Sequence, residues 1–179
     1  KAIKIRPDYA EAHYNLGNTL KDLGKLKEAE LLYRKAIELK PDFADAHSNL
    51  GNILSDIGKS KEAELSLRKA IEIKPDLAEA HFNLGNILKS SGRLNEAKLS
   101  IQKAIKIKPQ YGEALINLGS IFWSQGKLEK AYELIIKAIS LYPDNNSFYL
   151  LLIRFITLYK PLDDKLNSVI KANEKLRSL

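Results

Sequence analysis

Five prolines recur along the chain at a constant interval of 34 residues: Pro7, Pro41, Pro75, Pro109 and Pro143. A constant period of this length is the signature of one supersecondary unit repeated along an axis. The sequence therefore predicts a solenoid, in which each unit contacts its neighbours, rather than a globular domain around one centre. The working surface of a solenoid is expected to consist of residues that hold the same position in successive units.

The period divides the chain into complete units and two irregular ends. The four complete units are expected at residues 10–43, 44–77, 78–111 and 112–145. Residues 146–179 are predicted to form a degenerate fifth unit of capping helices. Residues 1–9 are interpreted as the tail of a preceding second helix, because Ala2 shares the phase of Ala36.

Each unit is expected to contain two amphipathic helices. In the first unit Ala12, Leu16 and Leu20 have helical spacing, and a second apolar stripe runs from Leu26 to Leu39. Before each first helix an Asp is followed three residues later by another acidic residue, which is the spacing of a capping box. These pairs are Asp8 with Glu11, Asp42 with Asp45, and Asp76 with Glu79.

Glycine marks two positions in every unit. One glycine follows the first helix and is expected to end it in the left-handed conformation. These are Gly24, Gly58, Gly92 and Gly126. The other lies inside the first helix, where glycine costs about 1 kcal/mol relative to alanine, so a close neighbour is expected to exclude a side chain. These are Gly17, Gly51, Gly85 and Gly119, with Ala29, Ala63, Ala97 and Ala131 as expected neighbours.

These residues resemble the tetratricopeptide repeat (TPR). The resemblance is carried by Leu16-Gly17, Leu20, Ala29, Tyr33, Ala36 and Pro41 and by their equivalents in later units, and it covers residues 1–145. It implies an all-α fold: an α-solenoid of antiparallel helix hairpins winding into a right-handed superhelix, with an atypical C-terminal helix pair. It also implies at least one further repeat upstream. The pattern is most similar to the superhelical arrays attached to O-GlcNAc transferase and to those of bacterial TPR proteins.

The resemblance implies that the first helices line a concave groove, and asparagine is frequent on that face. A carboxamide offers both a donor and an acceptor, so a row of them can pair with a polypeptide backbone of any sequence. In O-GlcNAc-transferase-like arrays such a ladder holds an extended polypeptide. The predicted groove residues are Glu11, Tyr14, Asn15, Asn18, Lys21, Asp45, Asn49, Asn52, Glu79, Phe82, Asn83, Asn86, Lys89, Asn117 and Trp123.

The asparagines occupy two phases with different expectations. Asn18, Asn52 and Asn86 are expected to be exposed. For the other phase two interpretations stay open: contact with a partner, or hydrogen bonds between neighbouring helices that set the superhelical twist. That phase holds Asn15, Asn49, Asn83 and Asn117. The acidic phase that begins at Glu11 is expected to repel a C-terminal carboxylate, which argues against the ligand of chaperone-binding TPR domains.

The net charge of +7 raises nucleic acid or an acidic membrane as partners. The placement of the cations argues against both, because many lie late in the second helices, where they complement the helix dipole. No aromatic residues alternate with them as a base-stacking platform requires. The principal lysine phase holds Lys1, Lys35, Lys69, Lys103 and Lys137.

The sequence predicts no catalytic chemistry. It contains no cysteine, and His13, His47 and His81 lie one helix hairpin apart, too far to share a metal through bonds of ~2 Å. Neither a nucleophile with its base nor a phosphate-binding loop is evident. We therefore predict a cytoplasmic, non-catalytic scaffold without metal or cofactor that binds a peptide or protein. The alternative is the substrate-recognition arm of a larger enzyme, such as a glycosyltransferase or sulfotransferase.

The repeat pattern fails after residue 145. The helix expected at 147–159 is apolar on nearly every side and should be buried on every side. It is too short to span a bilayer. We expect it either to dock on another chain, self-assembly included, or to form a hydrophobic end of the groove with Trp123. The predicted interface residues are Phe148, Leu151, Phe155 and Tyr159.

Overall fold

The computed structural model describes residues 9–158, with side chains through residue 155, and in this part of the chain the regular secondary structure is α-helical. The helices are α1 (Ala10–Asp22), α2 (Leu26–Leu39), α3 (Ala44–Asp56), α4 (Ser60–Ile73), α5 (Ala78–Ser90), α6 (Leu94–Ile107), α7 (Gly112–Ser124), α8 (Leu128–Leu141) and α9 (Asn146–Leu158). The predicted all-α fold is confirmed. The tail before residue 9, Tyr159 and the second capping helix lie outside the described residues.

The chain forms two compact units, residues 1–114 and residues 115–179. In the first unit the consecutive helices pack in pairs along the chain, from α1 on α2 to α5 on α6, and α3 also contacts α5. In the second unit α9 packs against α8. Packing between successive helices is the organisation of an α-solenoid, as the proline period predicted.

Small residues bring the two helices of a hairpin together. Ala63 and Ala70 on α4 are fully buried. A Cβ atom added to Gly51 would lie 2.6 Å from Leu67 Cγ and 3.1 Å from the Ala63 carbonyl oxygen. Ala63 is therefore a close neighbour of Gly51, as predicted. The side chain of Leu67, four residues after Ala63, excludes a Cβ atom at Gly51 more strongly. Tyr33 does the same at Gly17.

The glycines after the first helices adopt the predicted left-handed conformation. Gly24 has φ +73°, and its equivalents have φ between +71° and +82°. The Gly24 N–H donates to the Lys21 carbonyl over 2.9 Å, and the Lys25 N–H donates to the Leu20 carbonyl over 2.8 Å. This pair of bonds is a Schellman motif, which pairs the last carbonyls of α1 and turns the chain toward α2.

The predicted capping boxes are wrong for α3 and α5. The N-cap residues are Phe43 and Leu77, one position after the expected aspartates, and neither helix has a side-chain cap hydrogen bond. The Phe43 ring instead packs on Tyr14, with ring centroids 4.8 Å apart. Apolar contact with the preceding first helix therefore fixes where α3 begins. Asp8 lies outside the described residues.

Ion pairs join the second helices of adjacent repeats in the first unit. The Glu30 side chain, 11% exposed, accepts from Arg34 on its own helix and from Lys59 of the next repeat, both over 2.9 Å. Burial raises the pKa of the Glu30 carboxyl, but the hydrogen bonds from Lys59 and Arg34 outweigh it and leave the pKa below its ordinary value. In the second repeat Glu64 pairs with Arg93 over 2.8 Å. Lys98 holds the equivalent position in the third repeat, so this series of acidic residues ends there.

Candidate interaction face on the first helices

A hydrogen-bonded network connects the first three helices. Tyr33 Oη on α2 donates to Asn18 Oδ1 on α1 over 2.7 Å. Asn49 Nδ2 on α3 donates to the same Asn18 oxygen over 2.9 Å and to Tyr14 Oη over 3.1 Å. Four side chains of the first two repeats therefore hold one another in fixed orientations.

The network is determined by the buried Tyr33. Its side chain has no exposed surface, and burial raises the pKa of its phenol to about 12, so the hydroxyl stays protonated and donates. The Asn18 oxygen must then face Tyr33, and both Nδ2 hydrogens of Asn49 are engaged. Asn18 is half-buried, not exposed as predicted, and the same prediction is wrong for Asn52 and Asn86. Asn49 follows the interpretation in which the amide bonds across neighbouring helices.

The other asparagines differ from these two. Leu67 and Ile101 replace Tyr33 in the next two repeats, so no phenol is available to them. Asn15 is exposed, whereas Asn52 and Asn83 are half-buried. Within residues 9–158 the side-chain carboxamides of these three make no hydrogen bond. Asn86 and Asn117 are also half-buried. The contact of all these asparagines with a partner stays a prediction.

An acidic, basic and aromatic cluster lies beside the network. Lys40 Nζ is 3.0 Å from Glu11 Oε1 and 4.9 Å from the centroid of the Phe43 ring, which packs on Tyr14. The hydrogen bond from Lys40 lowers the pKa of the Glu11 carboxyl. Because Lys40 compensates this acidic residue, the predicted repulsion of anionic ligands does not hold at Glu11.

The same cluster recurs in the third repeat but not in the second. Lys108 Nζ lies 3.6 Å from Glu79 Oε1 and 4.7 Å from the centroid of the Tyr111 ring, which packs 4.8 Å from Phe82. The equivalent positions of the second repeat hold Asp45, Ser48, Lys74 and Leu77. The face therefore carries aromatic pairs in alternate repeats, a pattern of period two that the single-residue phases did not reveal.

The remaining predicted polar residues lie at the ends of the first helices. Lys21 on α1 and Lys89 on α5 are half-buried near the C-terminal ends, and Asp45 near the start of α3 is half-buried as well. Burial lowers the pKa of the Lys89 ammonium group.

The histidines have structural partners. His47 Nε2 and His81 Nε2 each lie 2.9 Å from the carbonyl oxygen of the proline in the preceding turn, Pro41 and Pro75 respectively, and donate to it. Each ring therefore ties a first helix to the turn before it. Residues 9–158 contain no cluster of side chains able to hold a metal ion.

The aromatic residues of the second unit pack against one another. The Phe155 ring on α9 lies edge-on to Trp123 with centroids 5.0 Å apart, and 6.3 Å from Tyr132. Phe148 and Phe155 are 6% and 1% exposed, so they belong to the core of this unit and are not the predicted interface.

Other residues form the exposed part of α9. Leu151 is half-buried, whereas Leu150 and Ile153 are 66% and 55% exposed. The prediction that this helix is buried on every side is therefore wrong. Its burial is one-sided because Phe148, Leu152 and Phe155 share the face that is buried within the second unit.

The helix hairpins, the positive-φ turns and the small residues between helices define a helical-repeat solenoid of the kind that binds other proteins. Models of the TPR repeat match residues 1–24, 17–58 and 51–92, and models of the tetratricopeptide repeat match residues 78–111 and 112–145. The chain belongs to the tetratricopeptide repeat family, whose members bind protein partners.

Solved structures share this fold. The MamA protein is 25% identical with TM-score 0.76, covering 94% of this chain and 92% of that one. PilF of Pseudomonas aeruginosa is 26% identical with TM-score 0.77, covering 85% and 69%. TTC0263, a thermophilic TPR protein of Thermus thermophilus, is 21% identical with TM-score 0.74, covering 87% and 86%, and shows similarity of fold alone. No curated protein sequence matches the chain. Among residues 9–158, no helix combines the length and apolar character needed to span a membrane.

Proposed function

We propose that this chain is a non-catalytic scaffold that binds an extended polypeptide along the first helices α1, α3 and α5. One observation carries the proposal: on this face the amides of Asn18 and Asn49 are held by the Tyr33 network, while the half-buried Asn52 and Asn83 make no side-chain hydrogen bond within the described residues. The two held amides, Asn18 and Asn49, present donors and acceptors without further loss of side-chain entropy.

The hydrogen-bonding pattern suggests how a backbone is held. Since Asn49 uses both of its Nδ2 hydrogens inside the protein, its Oδ1 is the atom left to accept from a partner N–H. Asn18 uses its oxygen twice, so its Nδ2 is left to donate to a partner carbonyl. Asn52 and Asn83 can do both. Such pairing engages the backbone and is indifferent to most side chains.

The alternate aromatic pairs supply side-chain preference. Tyr14 and Phe82 are two repeats apart, and one two-helix step is roughly 16–20 Å because packed helices lie 8–10 Å apart. Two steps measure at most about 32–40 Å, which an extended chain covers in about 10–12 residues. The preferred ligand is therefore a segment of about this length with an apolar residue near each end.

The test uses a displayed library of unstructured 12-residue peptides. Asn52→Ala with Asn83→Ala should weaken binding of the selected peptides about 5- to 150-fold, since each lost hydrogen bond contributes about 0.5–1.5 kcal/mol. The matched control is Asn95→Ala, an exposed asparagine near the start of α6. Methylation of the peptide backbone nitrogens should abolish binding by the wild type. Unchanged affinity of the double variant, or equal binding of the methylated peptides, would show that the asparagines do not hold a backbone.

Two alternatives remain open. The array serves as the substrate-recognition arm of a larger enzyme if the reading frame continues past Leu179 into a catalytic domain, which sequencing the gene decides. It serves as a self-assembling scaffold if α9 pairs between copies, and the exposed Leu150 and Ile153 are the observation that favours this.

A further inference from the structure

Three leucines of the second helices are exposed in one phase of the repeat. Leu31, Leu65 and Leu99 are 68%, 69% and 64% exposed on α2, α4 and α6. All three belong to the first compact unit. We call them the leucine row.

The fold does not require leucine at this phase. In the fourth repeat Glu133 occupies it and is exposed, while the preceding Tyr132 is half-buried. In the first two repeats the acidic residue is the buried one and the apolar residue is the exposed one. The side chains of Glu30 and Glu64 are 11% and 21% exposed, and each directly precedes an exposed leucine of the row. A buried carboxylate beside an exposed leucine is the opposite of what solvation favours. An apolar environment around the exposed leucines would account for this order.

Ion pairs set the leucine row on one surface. Arg34 on α2 pairs with Glu62 on α4 over 2.7 Å, and Arg68 on α4 pairs with Glu96 on α6 over 3.7 Å. Each of these residues lies three positions from a leucine of the row and therefore on the same helix face. Adjacent second helices are thus fixed side by side, with a leucine on each side of every ion pair.

Lysines border the leucine row. Four residues before or after a leucine, and so on its face of the helix, stand Lys27, Lys35, Lys61, Lys69 and Lys103. Lys35 and Lys69 lie before the last turns of α2 and α4, which contain no basic residue, so compensation of the helix dipole does not account for them. Lys27, Lys61 and Lys103 have no ion-pair partner within residues 9–158.

The carboxylates on this face are matched by cations. Glu38 and Glu72 pair with lysines on their own helices over 2.8 Å, Glu62 pairs with Arg34, and Glu28 lies 3.7 Å from Lys25. The unpaired lysines therefore leave the face positive, and its complement is an anionic surface.

We propose that the leucine row and its lysines dock on an anionic lipid membrane. The leucines enter the boundary between headgroups and acyl chains, and the lysines contact the anionic headgroups. An amphipathic helix fits less well, because it needs an apolar groove with contacts every 5–6 Å, whereas these leucines are one repeat apart with ion pairs between them. A second copy of the same face would oppose lysine to lysine. A bilayer needs no fixed spacing between apolar contacts, so it can take up leucines that are separated from one another by ion pairs.

The test measures flotation of the whole chain with lipid vesicles. The probes are vesicles of 70% phosphatidylcholine with 30% phosphatidylglycerol, and vesicles of phosphatidylcholine alone. Leu31→Glu, Leu65→Glu and Leu99→Glu each copy the residue of the fourth repeat and leave a good helix former in place. Each is expected to weaken partitioning into the anionic vesicles about tenfold, since burying most of a leucine contributes about that factor. The matched control is Leu23→Glu, 67% exposed at the end of α1.

A second variant separates charge from insertion. Combining Lys27→Gln, Lys61→Gln and Lys103→Gln should reduce binding to the anionic vesicles about fivefold for each lysine and flatten its dependence on salt, because a lysine near such a surface contributes about that factor. Circular dichroism checks that every variant stays folded. The proposal is overturned if the wild type does not float with anionic vesicles, if Leu23→Glu weakens binding as much as Leu65→Glu, or if the leucine variants alter only self-association. None of these outcomes bears on peptide binding by the first helices.

Discussion

Replacing Gly51 by alanine tests the close approach of α3 and α4. The added methyl group would lie 2.6 Å from Leu67 Cγ, about 1 Å inside ordinary contact, and 3.1 Å from the Ala63 carbonyl oxygen, which is part of the helix backbone and cannot rotate away. Overpacking of this kind costs about 1–3 kcal/mol. The better helix propensity of alanine returns about 1 kcal/mol. Because the backbone oxygen cannot move away, we expect a strain of about 3 kcal/mol, the upper end of this range. The net loss of unfolding free energy is then about 2 kcal/mol.

The fourth repeat provides the matched control. A methyl group on Gly119 would lie 3.3 Å from the Ala131 carbonyl oxygen and 3.6 Å from the nearest side-chain atoms, so the strain is smaller than at Gly51. Gly119→Ala should therefore leave stability unchanged or raise it by up to about 1 kcal/mol. Truncating the nearer obstruction, Leu67→Ala, should remove most of the cost of Gly51→Ala and leave the part due to the Ala63 carbonyl oxygen. A double-mutant cycle detects this as a coupling of about 0.5–3 kcal/mol.

The assay is urea unfolding of the wild type and these variants, followed by circular dichroism at 222 nm. Equal midpoints for Gly51→Ala and Gly119→Ala, or additive effects of Gly51→Ala and Leu67→Ala, would refute the reasoning that the Leu67 side chain excludes a methyl group at this site.

Two further outcomes are expected. Glu30→Gln should cost about 2 kcal/mol at pH 7, because it breaks charge-assisted bonds to a buried carboxylate. Since the folded pKa of Glu30 is lowered, this contribution is present above the unfolded pKa and is lost as pH falls through the folded pKa, so the two stability curves should approach each other as pH falls below the ordinary range of a glutamate. A constant difference from pH 7 to pH 3 would contradict this assignment. If α9 pairs between copies, Leu150→Ser with Ile153→Ser should shift the mass measured by light scattering at high concentration toward the monomer, whereas a wild type that is already monomeric at that concentration removes the basis for this alternative.

The hairpins were predictable because their determinants are local. Gly24 ends α1, Pro41 follows the end of α2, and the alanines between them mark the packed face of α2, so both helices and the turn are specified from within one repeat. The N-caps of α3 and α5 were predicted one residue too early. At α3 the reason is that Phe43 acts through contact with Tyr14 of the preceding repeat, a contact that sequence spacing does not encode.

The exposure of individual side chains was less predictable. Leu31 and Leu32 are adjacent leucines in an apolar stripe, and only the orientation of α2 against its neighbours decides that Leu31 is exposed while Leu32 is half-buried. Asn18, Asn52 and Asn86 are all half-buried, and at Asn18 the hydroxyl of Tyr33, fifteen positions away, donates a hydrogen bond across the hairpin. Because α9 has apolar residues on nearly every side, its sequence contains no pattern that distinguishes the buried Phe148 from the exposed Leu150.

The packing of each helix against its neighbours in the first unit has a consequence for how the chain folds. Tyr14 and Asn49, which are joined across two repeats, are only 35 residues apart in sequence. Closing loops of this length costs little entropy, and folds built from such near contacts form rapidly. A hairpin can therefore form while the chain beyond it is still being synthesised. For the same reason, a duplication that inserts one more 34-residue repeat breaks contacts at a single junction and recreates them on both sides, which gives an array of this kind an easy route to changing its length.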